Sequence, residues 1–209
     1  SLILFEHMLH DVEAMPRIVM GLLARAGNTP FIFEEPLPYA DQLVGLTIHR
    51  IHKKSGDDVA AAGRYYSNRG ICQGWRVARA AVAHGEALTS EMLAHLLPPR
   101  EISARRILIH IDGKLHKADA QALTDWEAAH DAALYPIEIM AGDVPRLYAF
   151  ANRRISLPDR GAALRLTERE ALLFVPSSAA GTPAPLHVRS LAPMRVDHML
   201  DSIEALALL

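Results

Sequence analysis

The sequence is poor in cysteine and aromatic residues and carries almost no net charge. Its single cysteine, Cys72, has no partner within the chain, which excludes an internal disulfide. With 22 Lys and Arg residues against 24 Asp and Glu residues, the formal net charge is −2, so any basic surface for nucleic acid must be local. No apolar run approaches the roughly 20 residues of a membrane-spanning helix, and the first residues lack a secretory signal pattern. We therefore predict a cytoplasmic protein without a membrane partner.

The sequence does contain enough apolar material for one large domain, since half of its 209 residues are apolar. The chain opens directly on Leu2-Ile-Leu-Phe5 without an initiator methionine. It closes on Leu206-Ala-Leu-Leu209 in the middle of an apolar helical pattern. We interpret it as a fragment of a longer protein.

The first half of the chain predicts a helix followed by a β-meander. Residues 2–26 carry apolar side chains at helical spacing, and Gly27-Asn-Thr-Pro30 ends that helix. Three strands then follow closely, at 42–51, 58–67 and 72–80, with turn clusters between them. Such short connections join antiparallel strands.

The second half alternates helices with strands. Helices are predicted at about 88–97 and 117–133, and strands at 106–111 and 134–140, so helical crossovers should join parallel strands. Later elements are predicted as strands at 146–151, 162–166, 171–176 and 186–191 and a helix from about 195. The order predicts an α/β protein with an RNase H-like mixed β-sheet flanked by helices.

Five segments, in chain order, resemble the PIWI domain of prokaryotic Argonaute proteins, specifically of the catalytically inactive long type. They are Leu23-Ala-Arg-Ala-Gly-Asn-Thr-Pro-Phe31, Tyr39-Ala-Asp-Gln-Leu-Val-Gly-Leu-Thr-Ile48, Ile107-Leu-Ile-His-Ile-Asp-Gly-Lys114, Pro145-Arg-Leu-Tyr148 and Gly181-Thr-Pro-Ala-Pro-Leu186. The resemblance implies that residues 1–30 form a helical leader from the MID domain and that residues 31–209 form a PIWI domain truncated at its C-terminus.

The resemblance also implies a degenerate catalytic centre. Thr47 stands where the family has its first catalytic aspartate; threonine fits a strand but supplies no anionic ligand to a two-metal site. Asp112, at the carboxyl end of a predicted strand, is interpreted as the remnant of a metal site and is the one weak metal candidate. Glu86 falls where the family has a mobile glutamate, and a solvated loop residue is an equal alternative. No intact catalytic residue and no resident cofactor is predicted; Mg²⁺ or Mn²⁺ would enter only with bound nucleic acid.

Carboxylates and tryptophans elsewhere in the chain are predicted to have ordinary roles. Asp57 and Asp58 fall in the predicted turn before the second strand, so we expect them to point into solvent and not to replace the missing aspartate. Trp75 and Trp126 lie in a strand and a helix, where core or half-buried packing is expected rather than stacking on bases.

The eleven histidines suggest a metal site only superficially. His49 and His52 flank Arg50 on a strand, and His7 and His10 are three residues apart with no third ligand nearby in the sequence. We therefore expect surface or core histidines rather than zinc ligands.

Basic residues favour binding over catalysis. Arg25 occupies the position of a family lysine that helps to hold the 5′ phosphate of the guide. Lys114 and Lys117 lie near the start of a predicted helix, whose N–H groups attract phosphate. Arg146 is a candidate contact to the nucleic-acid backbone. Contacts of this kind provide position and affinity rather than sequence readout.

The leading hypothesis is a PIWI core without target cleavage that binds a short guide, expected to be RNA, and a complementary target, expected to be DNA. The resemblance implies defence against foreign DNA, with an associated effector nuclease as a further partner. One alternative is an active metal-dependent guide-directed endonuclease, and a second is an RNase H-like protein-interaction scaffold. Cleavage assays separate the first two, and retention of short nucleic acids separates the first from the third.

Overall fold

The computed structural model describes Val19, Leu22 and Leu23, residues 32–175 except 143, 152 and 160, and residues 184–208. Val19, Leu22 and Leu23 are helical. Most of the predicted leader, including Arg25, and the first residues of the Gly181 motif lie outside the described residues.

Apart from Val19, Leu22 and Leu23, the described part of the chain contains ten strands and four helices. The strands are β1 (Gln42–Lys53), β2 (Gly56–Ser67), β3 (Cys72–Val82), β4 (Arg106–Asp112), β5 (Ala133–Met140), β6 (Ala149–Ala151), β7 (Arg154–Ser156), β8 (Ala163–Arg165), β9 (Glu170–Leu173) and β10 (Leu186–Ser190). The helices are α1 (Ser90–Leu96), α2 (Pro99–Ile102), α3 (Lys117–His130) and α4 (Val196–Leu208).

Eight of these strands form one mixed sheet in the order β3-β2-β1-β4-β5-β10-β9-β8. β1, β2 and β3 pair antiparallel, whereas β4 pairs parallel with both β1 and β5. Helical crossovers make the parallel pairs possible, because two parallel strands cannot be joined by a tight turn. The predicted meander, the parallel centre and the RNase H-like α/β class are confirmed.

One face of the sheet packs on α1 and α3. Alternate residues of β1 and β4 point to this side and are almost fully buried. The cluster includes Val44, Leu46, Ile107, Ile109, Ile111, Leu93, Leu96 and Leu123. Two polar atoms on this side are satisfied by the backbone at the end of α1: the Tyr65 hydroxyl donates to Leu96 O, and Trp126 Nε1 donates to Leu97 O at 3.0 Å. The expected packing of Trp126 is thereby confirmed.

Among the described helices, α4 covers the other face, over β4, β5, β10, β9 and the start of β1. This second cluster contains Leu43, Leu108, Ile137, Leu173, Val188, Met199 and Ile203. No helix of this cluster reaches the outer strand β3, where Trp75 is 74% exposed and Val77 is 51% exposed. The prediction that Trp75 packs in the core was wrong, because Trp75 lies on the side of β3 opposite the residues that contact α1.

The hairpin between β1 and β2 corrects a second prediction. Asp57 and Asp58 are not turn residues but the second and third residues of β2, only 2% and 8% exposed. Gly56 makes this entry possible, because its φ is +139° and a Cβ there would lie 2.5 Å from Val82 O. The hairpin therefore continues for two residue pairs beyond the predicted strands, His52 with Asp57 and Lys53 with Gly56.

The remaining differences are local. β7 and the single-turn α2 were not predicted, and β6 is shorter than the predicted strand at 146–151.

Among the described helices, none combines the length and the apolar character needed to cross a lipid bilayer.

Candidate functional site

Thr47 and Asp112 lie side by side where β1 meets β4. The parallel register pairs Leu46 with Ile111, so the next residue of each strand is Thr47 and Asp112. Asp112 points to the same side as His110, two residues earlier, which contacts α4. Gly113 follows with φ +88° and turns the chain out of the strand, which leaves Asp112 exposed at the carboxyl end of β4.

A pocket of about 530 Å³ opens above this pair. It is lined by Gly45, Leu46, Thr47, Ala62, Gly63, Arg64, Trp75, His110, Ile111, Asp112 and Ile139. Among these lining residues, all in the described part of the chain, only Asp112 carries a carboxylate. A two-metal nuclease holds two cations about 4 Å apart and needs several shared anionic oxygens. The described residues at this position do not provide them.

Glu86 lies on the exposed loop that follows β3. Its Oε2 accepts a hydrogen bond from Ala83 N at 3.0 Å, and it is not among the residues that line the pocket above Thr47 and Asp112. The structure therefore brings Thr47 and Asp112 together, but not Glu86.

A second pocket, of about 520 Å³, lies on the other side of Asp112. Its lining is more basic and consists of Ile48, Arg50, Ile111, Asp112, Lys114, Leu115, His116, Lys117 and Asp119. Lys117 is the first residue of α3, and the preceding His116 gives the helix no side-chain cap. The first N–H groups of a helix are unpaired within it and attract anions. The structure thus groups the predicted Lys114 and Lys117 with Arg50 and His116 around this helix start.

Of the other two predicted binding residues, the structure describes only Arg146, which lines neither pocket. Arg146 is exposed on the segment between β5 and β6. Arg25 lies outside the described residues. Their roles remain predictions.

Trp75 and Arg64 form an exposed edge of the pocket above Thr47. They are directly opposite each other on β3 and β2, and both line that pocket. An exposed indole beside a guanidinium is suited to stacking and to phosphate contact. Strand alternation could have located Trp75, because it has the opposite parity to the inward-facing Ala78 and Ala80.

A polar network that was not predicted from the sequence lies near the β1–β2 turn, around Asp57. Asp57 Oδ1 accepts hydrogen bonds from His52 Nδ1 at 2.9 Å and from His84 Nδ1 at 2.8 Å. Its Oδ2 accepts from Gly85 N at 3.2 Å. These hydrogen bonds, from His52 first and then His84, hold the pKa of the Asp57 carboxyl well below its usual range. Counting back from the buried Val59 by two would have placed Asp57 on the inner face.

Arg50 connects this network to α3. Arg50 is a half-buried residue whose side chain is 13% exposed; its Nη2 donates to Asp119 Oδ1 at 2.6 Å and its Nη1 lies 3.9 Å from Asp57 Oδ2. Asp119 is buried and also accepts from Leu88 N at 2.8 Å. Asp58 forms a separate cluster on the opposite face, where Arg79 and Lys53 lower the pKa of its carboxyl. Neither aspartate lines the pocket above Thr47, so neither adds a second carboxylate there.

His110 is buried beneath the exposed Asp112. Its Nε2 lies 2.9 Å from Ser202 Oγ, and the Ser202 hydroxyl donates to Met199 O at 2.8 Å. Because that hydroxyl proton is already used, His110 Nε2 carries the hydrogen and donates to Ser202. Burial lowers the pKa of His110 to about 4.

Known proteins with a similar sequence and a similar fold are Argonaute proteins. The Argonaute protein of Aquifex aeolicus (strain VF5) is 24% identical over 196 residues, which cover 90% of this chain and 27% of that protein. The crystal structure of A. aeolicus Argonaute superimposes with a TM-score of 0.74 at 20% identity, over 88% of this chain and 27% of the other. Clostridium butyricum Argonaute, bound to a guide DNA and a 19-mer target DNA, superimposes with a TM-score of 0.62 at 16% identity, over 90% and 26%. No protein-family model matches the sequence.

These matches extend along nearly all of this chain but only about a quarter of each relative. The resemblance inferred from the five sequence segments is confirmed: the chain is an Argonaute homologue with the PIWI-like fold of that family.

Proposed function

We propose that this chain is the nucleic-acid-binding core of a guide-dependent Argonaute that does not cleave its target. The observation that carries the proposal is the exposed pair Thr47 and Asp112, in a pocket at the sheet edge where Asp112 is the one carboxylate among the described lining residues. That edge is where open α/β sheets bind ligands. One carboxylate is too few to hold the cation pair that two-metal hydrolysis requires.

Positive charge on either side of Asp112 supports binding of a phosphate backbone. Lys114 and Lys117 sit at the uncapped start of α3, where their ammonium groups and the helix N–H groups act on the same anion. On the other side, Arg64 contacts the backbone and Trp75 stacks on an exposed base. The fold agrees with that of C. butyricum Argonaute, which was solved with guide and target DNA.

A protein that binds its target without cleaving it needs a partner protein to act on that target. We infer from the family resemblance an RNA guide, a DNA target, a role in defence against foreign DNA and an associated effector nuclease. Sequencing of nucleic acids co-purified with the full-length protein tests the guide and target. RNA and DNA of matched sequence would support this assignment, whereas guides made only of DNA would overturn it.

The full-length protein is expected to leave a guide-paired target intact in Mg²⁺ or Mn²⁺, because Thr47 offers no anionic ligand. The measurement is a single-turnover cleavage assay on labelled target. Thr47→Asp alone is expected to restore little cleavage. The pocket would then have two carboxylates and would still lack the remaining anionic ligands of a two-metal site. Specific cleavage that disappears on Asp112→Ala would establish the endonuclease alternative instead.

Binding is expected to depend on the charges at the start of α3. Lys114→Ala and Lys117→Ala should each weaken guide binding at moderate salt, and each should reduce the slope of log affinity against log salt by about one. The matched control is Lys54→Ala, which removes an exposed lysine from the β1–β2 turn. If Lys114→Ala and Lys117→Ala gave the same salt slope as the control Lys54→Ala, this pocket would not contact the nucleic acid. If the intact protein also retained no short nucleic acid, the scaffold alternative would stand.

A further inference from the structure

We propose that His52, Asp57 and His84 form a binding site for one transition-metal ion of the zinc type, separate from the Thr47–Asp112 pocket. The three ligand atoms lie within 4.8 Å of one another. They come from the end of β1, the start of β2 and the loop after β3. A bound ion would join the β1–β2 hairpin to the loop that carries Glu86.

The spacing of the donor atoms is close to that of a metal site. Zn²⁺ binds imidazole nitrogen and carboxylate oxygen at about 2.0–2.1 Å in a tetrahedron, which sets neighbouring ligand atoms about 3.3 Å apart. His52 Nδ1 and His84 Nδ1 lie 2.9 and 2.8 Å from the same oxygen, Asp57 Oδ1. An increase of about half an ångström in each separation would therefore admit the ion between them.

The carboxylate is held in position from its other oxygen. Gly85 N donates to Asp57 Oδ2, and Arg50 lies between Asp57 and Asp119 on the inner side. Such outer contacts orient a ligand and keep it anionic, as metal binding requires.

The two imidazoles are exposed to solvent, whereas the Asp57 carboxylate is buried. The side chains of His52 and His84 are 77% and 58% exposed, so solvent reaches their side of the cluster. A metal ion can enter from there and keep a water molecule as its fourth ligand. A neutral imidazole binds through Nδ1 by moving its proton to Nε2, so the exchange of two hydrogen bonds for two metal bonds needs no net loss of protons.

The donor set determines which ions fit. Two nitrogens and one carboxylate oxygen suit Zn²⁺ or Co²⁺, whereas Mg²⁺ prefers an octahedral shell of oxygens. The site also lies on the α1 side of the sheet, because Asp57 has the parity of Val59, while Thr47 faces the other way. Metal binding here is therefore independent of whether the protein binds a guide or cleaves a target.

The experiment is a calorimetric titration of the full-length, chelator-treated protein with Zn²⁺ and, separately, with Mg²⁺. We expect one Zn²⁺ site that is lost or weakened at least tenfold in His52→Gln and in His84→Gln, since even outer-shell changes cost about 10–100-fold in metal affinity. Both side chains are exposed, so the variants should fold. The control is His49→Gln, an exposed histidine on the opposite face of β1, which should bind Zn²⁺ like the wild type.

Two further readouts distinguish a metal site from a hydrogen-bonded cluster. Co²⁺ bound to the wild type should give the intense visible absorption of a tetrahedral ion, and excess Zn²⁺ should remove it. Zn²⁺ should also slow amide hydrogen exchange in residues 83–86 of the wild type but not of His84→Gln. Equal Zn²⁺ affinity in the wild type and both histidine variants, or no Zn²⁺ binding by the wild type, would overturn the proposal.

Discussion

Replacing Asp119 with alanine is expected to lower the free energy of unfolding by about 3–5 kcal/mol, because it leaves the Arg50 guanidinium buried without its main partner. The Nη2 to Oδ1 distance is 2.6 Å, and Asp119 is 1% exposed. The same change removes the acceptor for Leu88 N, so a buried backbone donor loses its hydrogen bond as well. Urea unfolding of the full-length protein, followed by circular dichroism, measures the change.

The matched control for this prediction is Asp125→Ala on the same helix. Asp125 is exposed and accepts only from Gln121, so its loss should change stability by less than about 0.5 kcal/mol. The double variant Arg50→Met with Asp119→Leu should recover most of the loss, since an apolar pair replaces the buried charges. A loss below about 1 kcal/mol in Asp119→Ala would show that water or another group satisfies Arg50.

Stability is also expected to fall as the pH decreases from 6.5 to about 4, because of His110. Burial lowers the pKa of this imidazole from 6.5 to about 4, so between these values the unfolded chain holds a proton that the folded chain excludes. The contribution of His110 is fully present above pH 6.5 and decreases by about 1.4 kcal/mol per pH unit below it. The total loss by pH 4 is on the order of 3 kcal/mol.

The test is the pH dependence of the unfolding free energy in wild type and in His110→Leu. The variant should have a flatter profile between pH 6.5 and 4, whatever its absolute stability. His95→Gln, which replaces an exposed histidine in α1, should keep the wild-type slope. The low-pKa carboxyls of Asp57 and Asp58 lose their stabilising charge only in more acidic solution, so their effect is separable from that of His110. Parallel profiles for wild type and His110→Leu would refute the assignment.

The elements of the large sheet could be predicted because their signals are local. Short turns fix the antiparallel meander of β1 to β3, and helical crossovers require the parallel pairing of β4 with its neighbours. The bounds of β4 agree with prediction almost to the residue, since an apolar run marks the strand. The start of α3 also agrees, although no side chain caps it. The short β6–β7 hairpin was only partly predicted, because three-residue strands carry too little periodicity.

Errors in the prediction of the site have one common cause. Asp57 and Asp58 follow a glycine and were assigned to a turn, although the β1–β2 register pairs them with His52 and Ile51 within the sheet. Trp75 was predicted to be in the core or half-buried because tryptophan in a strand usually packs, although β3 is the outer strand and no described helix covers the face that carries Trp75. In both cases the sequence carried the alternation of the strand. It did not carry where the β1–β2 hairpin turns or which face of β3 is covered, because both depend on tertiary structure.

The sequence by itself determined the order of the elements, the presence of a neutral threonine at position 47 and the placement of Asp112 at the end of a strand. These properties depend on residue type and on neighbours within a few positions. Only the tertiary structure decided which distant groups meet: Arg50 with Asp119, His110 with Ser202, and His52 with Asp57 and His84. Such contacts join residues from 5 to 92 positions apart, and they depend on strand register and helix packing, which no local pattern specifies.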